Sequence, residues 1–234
     1  MALSPFDYAF WVSGFLFEVL VVVCAVYRRE FLRYFAINFF MLATAVISVV
    51  DFLVSRQYGR ASEIYVYVYY YTESLLTISL YFVIMGFYRR TLEEMKVSRY
   101  VRGATVLLLV CTAAFSYLVV RQNNDHLTGR FVVELGQNLH FVGVVLTYVL
   151  WGTLLKVRET RTRLVQLVLA IGVYVSATAA TYALRNLFPG LESTVLRFIP
   201  PMLGTFLPLA WAYTFFKVPE NARLMPARLL ARAR

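Results

Sequence analysis

Seven apolar runs, each close to the roughly 20 residues a helix needs to cross a bilayer, recur along the chain. They lie at about 8–27, 34–54, 65–88, 104–120, 134–155, 164–184 and 196–216. Backbone in hydrocarbon has no water to satisfy it, so only helices or closed barrels span a membrane, and runs of this length read as helices. Composition agrees, with 60% of residues hydrophobic and 15% charged, against about 25% charged in soluble domains. The expected fold is all-α: a polytopic membrane protein with seven transmembrane helices in one domain, 1–216, and a basic tail, 217–234. Met1 to Asp7 lacks the basic start of a signal peptide, so the first helix is expected to be retained.

Charge placement then orients the bundle. The net charge is +10, and 17 of the 23 Lys and Arg residues fall in the connections 28–33, 89–102 and 156–163 and after 216. By the positive-inside rule the N-terminus is outside and the C-terminus cytoplasmic, a multi-pass arrangement in the inner (plasma) membrane. Short basic clusters beside apolar runs suit anionic lipid headgroups, not nucleic acid. The loop Arg89–Gly103, with Glu93 and Glu94, reads as an amphipathic surface segment. The tail Lys217–Arg234 reads as a peptide on anionic lipid, too short for an output domain, so signalling would require a membrane or cytoplasmic partner protein.

Ionisable residues inside the spans are the functional candidates, because a charge at mid-bilayer costs roughly 2.5–3.5 kcal/mol on insertion scales. Glu73 lies in the run Tyr65–Tyr88, with Tyr69 and Tyr70 one turn before it and Thr77 one turn after. Glu18 stands near the middle of the first run, as a midplane polar residue suited to a hydrogen bond between helices. Asp51 closes the second run, and the fifth opens with Glu134, Gln137, Asn138 and His140. The sixth holds Gly172, Ser176, Thr178 and Thr181, small and hydroxylated residues that suit tight helix packing, flanked by Tyr174 and Tyr182, with Arg185 beyond. Pro200, Pro201 and Pro208 predict a kinked or broken seventh helix. Most of these residues belong to the outer half, and two arrangements suit them. One is an outward-facing pocket holding a small or lipophilic ligand, lined by Glu73, Tyr70, Thr77, Asp51, His140, Asn138, Tyr182 and Arg185. The other is ordinary polar packing scattered between helices.

Several chemistries find no support. Cys24 and Cys111 stand alone in apolar runs, and Asp125 with His126 lacks further ligands, so no metal or cofactor is expected. No Lys between 157 and 216 could carry a retinal Schiff base, and the seventh run lacks the Asn-Pro-x-x-Tyr pattern of G-protein-coupled receptors. The aromatic stretch from Tyr65 into Glu73-Ser-Leu-Leu, followed by Arg89 and Arg90, resembles a group of uncharacterised bacterial seven-helix membrane proteins. Members commonly carry a second acidic residue near the inner end of this helix, where this chain has Gly86-Phe-Tyr-Arg89. The resemblance implies a topology and no activity. The leading expectation is a sensor or partner subunit that binds a small molecule or lipid. A lipid- or isoprenoid-modifying enzyme using Glu73 or Glu18 as acid or base is one alternative, and a proton- or cation-coupled transporter is another.

Overall fold

The computed structural model describes residues 5–59, 61–92, 98–121, 127–157, 161–187 and 194–223. Among these residues the chain is helical throughout its regular structure. The helices are α1 (Pro5–Tyr27), α2 (Phe35–Tyr58), α3 (Glu63–Thr91), α4 (Ser98–Arg121), α5 (Leu127–Val157), α6 (Thr162–Leu187) and α7 (Thr194–Lys217). Five of them, α1, α2, α3, α5 and α6, are long and apolar enough to cross a membrane. Their outward faces carry exposed Leu16, Leu20 and Val23 on α1, Val46 and Leu53 on α2, and Val145 and Val149 on α5. Apolar surface this extensive is what a lipid-facing bundle presents.

Local chemistry sets the ends. The Ser62 hydroxyl accepts from the Tyr65 N–H at 3.1 Å, and Glu63 and Arg89–Arg90 oppose the α3 dipole at its two ends. Gly59 ends α2 with φ 81°, returning its N–H to the Ser55 carbonyl, a conformation that glycine adopts without strain. α1 closes differently. Glu30 N–H bonds to Ala25 O and Arg29 N–H to Val26 O, the bond pair of a Schellman motif. Arg29 fills the left-handed position with φ 56°. The motif has a structural consequence, because it turns Glu30 back over the bundle end.

The packing order, which sequence alone leaves open, is a ring. α1 contacts α2, α2 contacts α3, α3 contacts α5, α5 contacts α6, α6 contacts α7, and α7 returns to α1. α4 packs outside this ring on α3 and α5. In lipid no hydrophobic force drives helices together, so close approach of backbones has to supply the attraction. α5 and α6 achieve it at Gly172, where an added Cβ would sit 2.2 Å from Trp151 Cζ2. One half of the ring is filled by Val21, Phe40, Met41, Ile84, Leu167, Trp211 and Phe215. Trp211 is wholly buried, and its indole N–H donates to Leu167 O at 3.2 Å.

Beyond this core the basic end of the bundle is bolted shut. Arg163, at the start of α6, is 1% exposed. Its guanidinium pairs with Glu30 and, at 3.1 Å, with Glu220, and its Nε donates to Val218 O at 2.8 Å. Tyr34 donates to the same Glu220 carboxylate at 2.7 Å, while Arg90 stacks 3.9 Å over the Tyr34 ring. Thr162 N–H bonds to Ala222 O.

Three expectations change here. Residues 218–223, read from sequence as lying on lipid, dock on the protein because buried Arg163 holds their carbonyl and carboxylate; 224–234 lie outside the described residues. Residues 98–103, read as a surface segment, belong to α4, with 93–97 outside the described residues. α7 stays helical through Pro200, Pro201 and Pro208, so of the kink or break expected there the break does not occur. A proline removes one intrahelical bond, and the packing of α7 on α1 and α6 holds the remainder in place.

Candidate ligand cavity

The half of the ring away from the core is hollow. A cavity of about 570 Å³ opens between the helices, and every ring helix contributes to its wall while α4 does not. Its volume falls in the roughly 300–1,000 Å³ of small-molecule sites. Glu18 comes from α1, Ser48 and Asp51 from α2, and Tyr69, Tyr70, Glu73 and Thr77 from α3. α5 adds Gln137 and His140, α6 adds Tyr174, Thr178, Thr181 and Tyr182, and α7 adds Pro200 and Gly204. A second cavity of about 420 Å³ adjoins it, walled by Phe10, Trp11, Phe15, Tyr65 and Pro201. Glu18, Ser48, Asp51 and Gly204 line both.

The helical period explains the convergence. Tyr69, Tyr70, Glu73 and Thr77 recur at three- and four-residue intervals and so share one face of α3. Ser48 precedes Asp51 by one turn of α2 in the same way. Thr77 returns its hydroxyl to the Glu73 carbonyl at 2.9 Å and Ser74 donates to Val132 O at 3.0 Å, the latter fixing α3 against α5. His140 is 4% exposed, and its Nδ1 lies 2.9 Å from Gly136 O. A carbonyl oxygen only accepts, so Nδ1 carries the hydrogen, and in the neutral ring Nε2 is the free acceptor. Tyr182 packs edge-on to that ring at 5.4 Å.

The carboxyl groups are unevenly satisfied. Ser48 reaches the Glu18 carboxyl and Thr72 reaches that of Asp51. Glu18 is 5% exposed, and its Oε2 has no hydrogen-bond partner among the described residues; the same holds for Asp51 Oδ1. Glu73, Asp51, Tyr69 and Tyr174 line this same cavity from three helices. No cluster of three His, Cys, Asp or Glu residues close enough to hold a metal ion occurs among the described residues. The acids are therefore distributed around the wall.

Of the residues expected to line a pocket, Glu73, Tyr70, Thr77, Asp51, His140 and Tyr182 all face this one cavity. Glu18, expected as a midplane polar residue outside the pocket set, shares it. Asn138 does not: its amide donates to Ser116 Oγ at 3.0 Å and to Glu134 at 3.3 Å, on the side of α5 facing α4. His140 lies two positions after Asn138, about 200° around the helix, which turns them to different faces. The side chains of Arg185 and Arg197 lie outside the described residues. Thr178 and Thr181, expected to serve tight packing, and Tyr174, which flanks them, belong to the wall; their three- and four-residue spacing with Tyr182 was the available signal. No family model, curated protein or solved structure matches the chain.

Proposed function

We propose that the chain is a seven-span protein of the inner (plasma) membrane, N-terminus outside and C-terminus cytoplasmic, allied to bacterial seven-helix membrane proteins. In this reading it takes a small or lipophilic ligand into the ring cavity and acts as a sensor or partner subunit through its basic cytoplasmic end. The observation that carries the reading is the convergence of polar side chains from five helices, with α7 closing the wall, on one void in a bundle of otherwise apolar spans. Polar groups scattered as packing contacts would pair with neighbouring helices, as Asn138 does, and leave no common space. The Lys and Arg bias supports the orientation, placing the cavity toward the outside and the Arg163 cluster in the cytoplasm. Anionic headgroups are the natural neighbours of that basic end.

The test is mass spectrometry of molecules that co-purify in mild detergent, wild type beside Glu73→Gln, after both are shown to be monodisperse. A defined molecule present in wild type and depleted in the variant is expected. Identical bulk lipid in both would remove the ligand-binding reading. A carrier is the second reading, favoured by the position of Glu18 between two adjoining cavities. Proton or cation flux in liposomes, abolished by Glu18→Gln, would select it.

A further inference from the structure

The chemistry of the cavity wall narrows what it accepts. Glu18, Asp51 and Glu73 come from different helices, and no Lys or Arg lines the cavity among the described residues. Glu18 is the sharpest of these features. Its carboxyl is almost wholly buried, it faces both cavities, and one oxygen has no hydrogen-bond partner among the described residues. An ionised carboxylate in such a place calls for an opposite charge, because burying it unpaired is far costlier than burying a neutral polar group.

The rest of the wall has the same preference. Tyr69, Tyr174 and Tyr182 line the same cavity as Glu73, and electron-rich rings attract cations, most strongly where water is excluded. Pro208 has no N–H to offer, so the Gly204 carbonyl lacks its usual helical donor at a point where Gly204 borders both voids. Carboxylates, tyrosine rings and a backbone carbonyl are all acceptors of positive charge. Their distribution around about 570 Å³ suits a body larger than a bare ion.

We propose that the cavity binds an organic ammonium ion, with Glu18 and Glu73 as its counter-charges and Tyr69, Tyr174 and Tyr182 as its aromatic wall. The inference rests on the ligand-binding reading above and specifies its ligand class. Two sources share this chemistry, a free amine and the choline headgroup of a lipid.

The experiment measures binding of choline and tetraethylammonium to the purified full chain by calorimetry, with Trp11 fluorescence as a second signal because Trp11 lines the adjoining cavity. The comparison ligands are 3,3-dimethylbutanol, the neutral isostere of choline, and hexanoate. The cations are expected to bind roughly tenfold or more tightly than the isostere, and to lose roughly that factor in Glu18→Gln and Glu73→Gln. Should those variants misfold, Tyr174→Leu is expected to weaken the cations selectively while leaving the isostere unchanged. Competition by phosphatidylcholine, but not phosphatidylglycerol, in nanodiscs would assign the lipid headgroup; absence of competition would assign a free amine. Equal binding of the isostere, preference for hexanoate, or no binding of either cation would overturn the inference. In each of those cases a Glu73-dependent molecule found by mass spectrometry would still stand for the cavity.

Discussion

Arg163 and Arg33 offer a test of burial within one molecule, because both meet the Glu220 carboxylate. Arg33 does so at 2.9 Å with its side chain 55% exposed, and Arg163 at 3.1 Å with 1% exposed. Distance alone predicts that the two contacts matter equally. Burial predicts otherwise. Replacing Arg163 by Met removes the partner of Glu30, of Glu220 and of the Val218 carbonyl at once. Breaking a buried pair in this way costs roughly 3–5 kcal/mol. Glu30 and Glu220 keep 16% and 22% exposure, so water can replace part of what is lost, and about 3 kcal/mol is the appropriate figure. Arg33→Met removes a solvated pair worth about 0–1 kcal/mol. The assay is unfolding of the purified protein in one detergent, wild type and both variants, with Glu220→Gln added to close a double-mutant cycle. Arg163 and Glu220 should couple by about 1–3 kcal/mol and Arg33 and Glu220 by well under 1. Equal shifts for Arg163→Met and Arg33→Met would refute the argument that burial, and not charge pairing, holds this end together.

Gly172→Ala places a methyl group on the Trp151 indole and within 2.8 Å of Thr147 Cγ2. A loss of about 1–3 kcal/mol is expected, largely relieved in a Trp151→Leu background and measured by the same unfolding assay. Arg29→Gly relieves a left-handed φ of 56° and should stabilise the chain by about 1 kcal/mol; a loss would mean that the Arg29 side chain contributes more than its backbone costs. Asn138→Ala should cost about 1 kcal/mol through the lost bond to Ser116. It should leave cavity binding unchanged, and an affinity change as large as that of Glu73→Gln would place Asn138 in the cavity after all.

How much of this was legible depended on whether the information was local. Helix positions were local: apolar length and flanking Arg residues mark α3, and the observed Glu63–Thr91 extends the expected 65–88 by only a turn at its longest end. The face of α3 bearing Tyr70, Glu73 and Thr77 was local too, since helical period fixes it. Which helices share a void was not. Asn138 was assigned to the pocket and Glu18 was not, as nothing within α5 or α1 states what lies opposite. The Arg163 cluster was the least visible feature. It joins Glu30, Arg163, Glu220 and the Val218 carbonyl, and in sequence the three charged residues read as ordinary charges beside basic loops. The small residues of α6 did announce tight packing, and Gly172 delivers it.

The cavity and the Arg163 cluster are built on the same helices. α1 carries Glu18 and leads to Glu30; α6 carries Tyr174 and has Arg163 in its first turn; α7 borders the cavity at Gly204 and ends one residue before Val218. Shared elements permit communication without establishing it, because coupling is a free energy and needs two states that both sites distinguish. Reciprocity supplies the discriminating measurement. If occupancy of the cavity loosens or tightens the tail, then Arg163→Met, far from any ligand contact, must change ligand affinity by the same factor that ligand changes tail docking. A sensor is expected to show a shift of roughly 5-fold or more, the scale of a 1 kcal/mol coupling. A protein that merely stores or carries its ligand would show Arg163→Met weakening the fold while affinity stays constant. Sensor and container therefore separate at a residue that touches no ligand, and the separation does not depend on knowing what the ligand is.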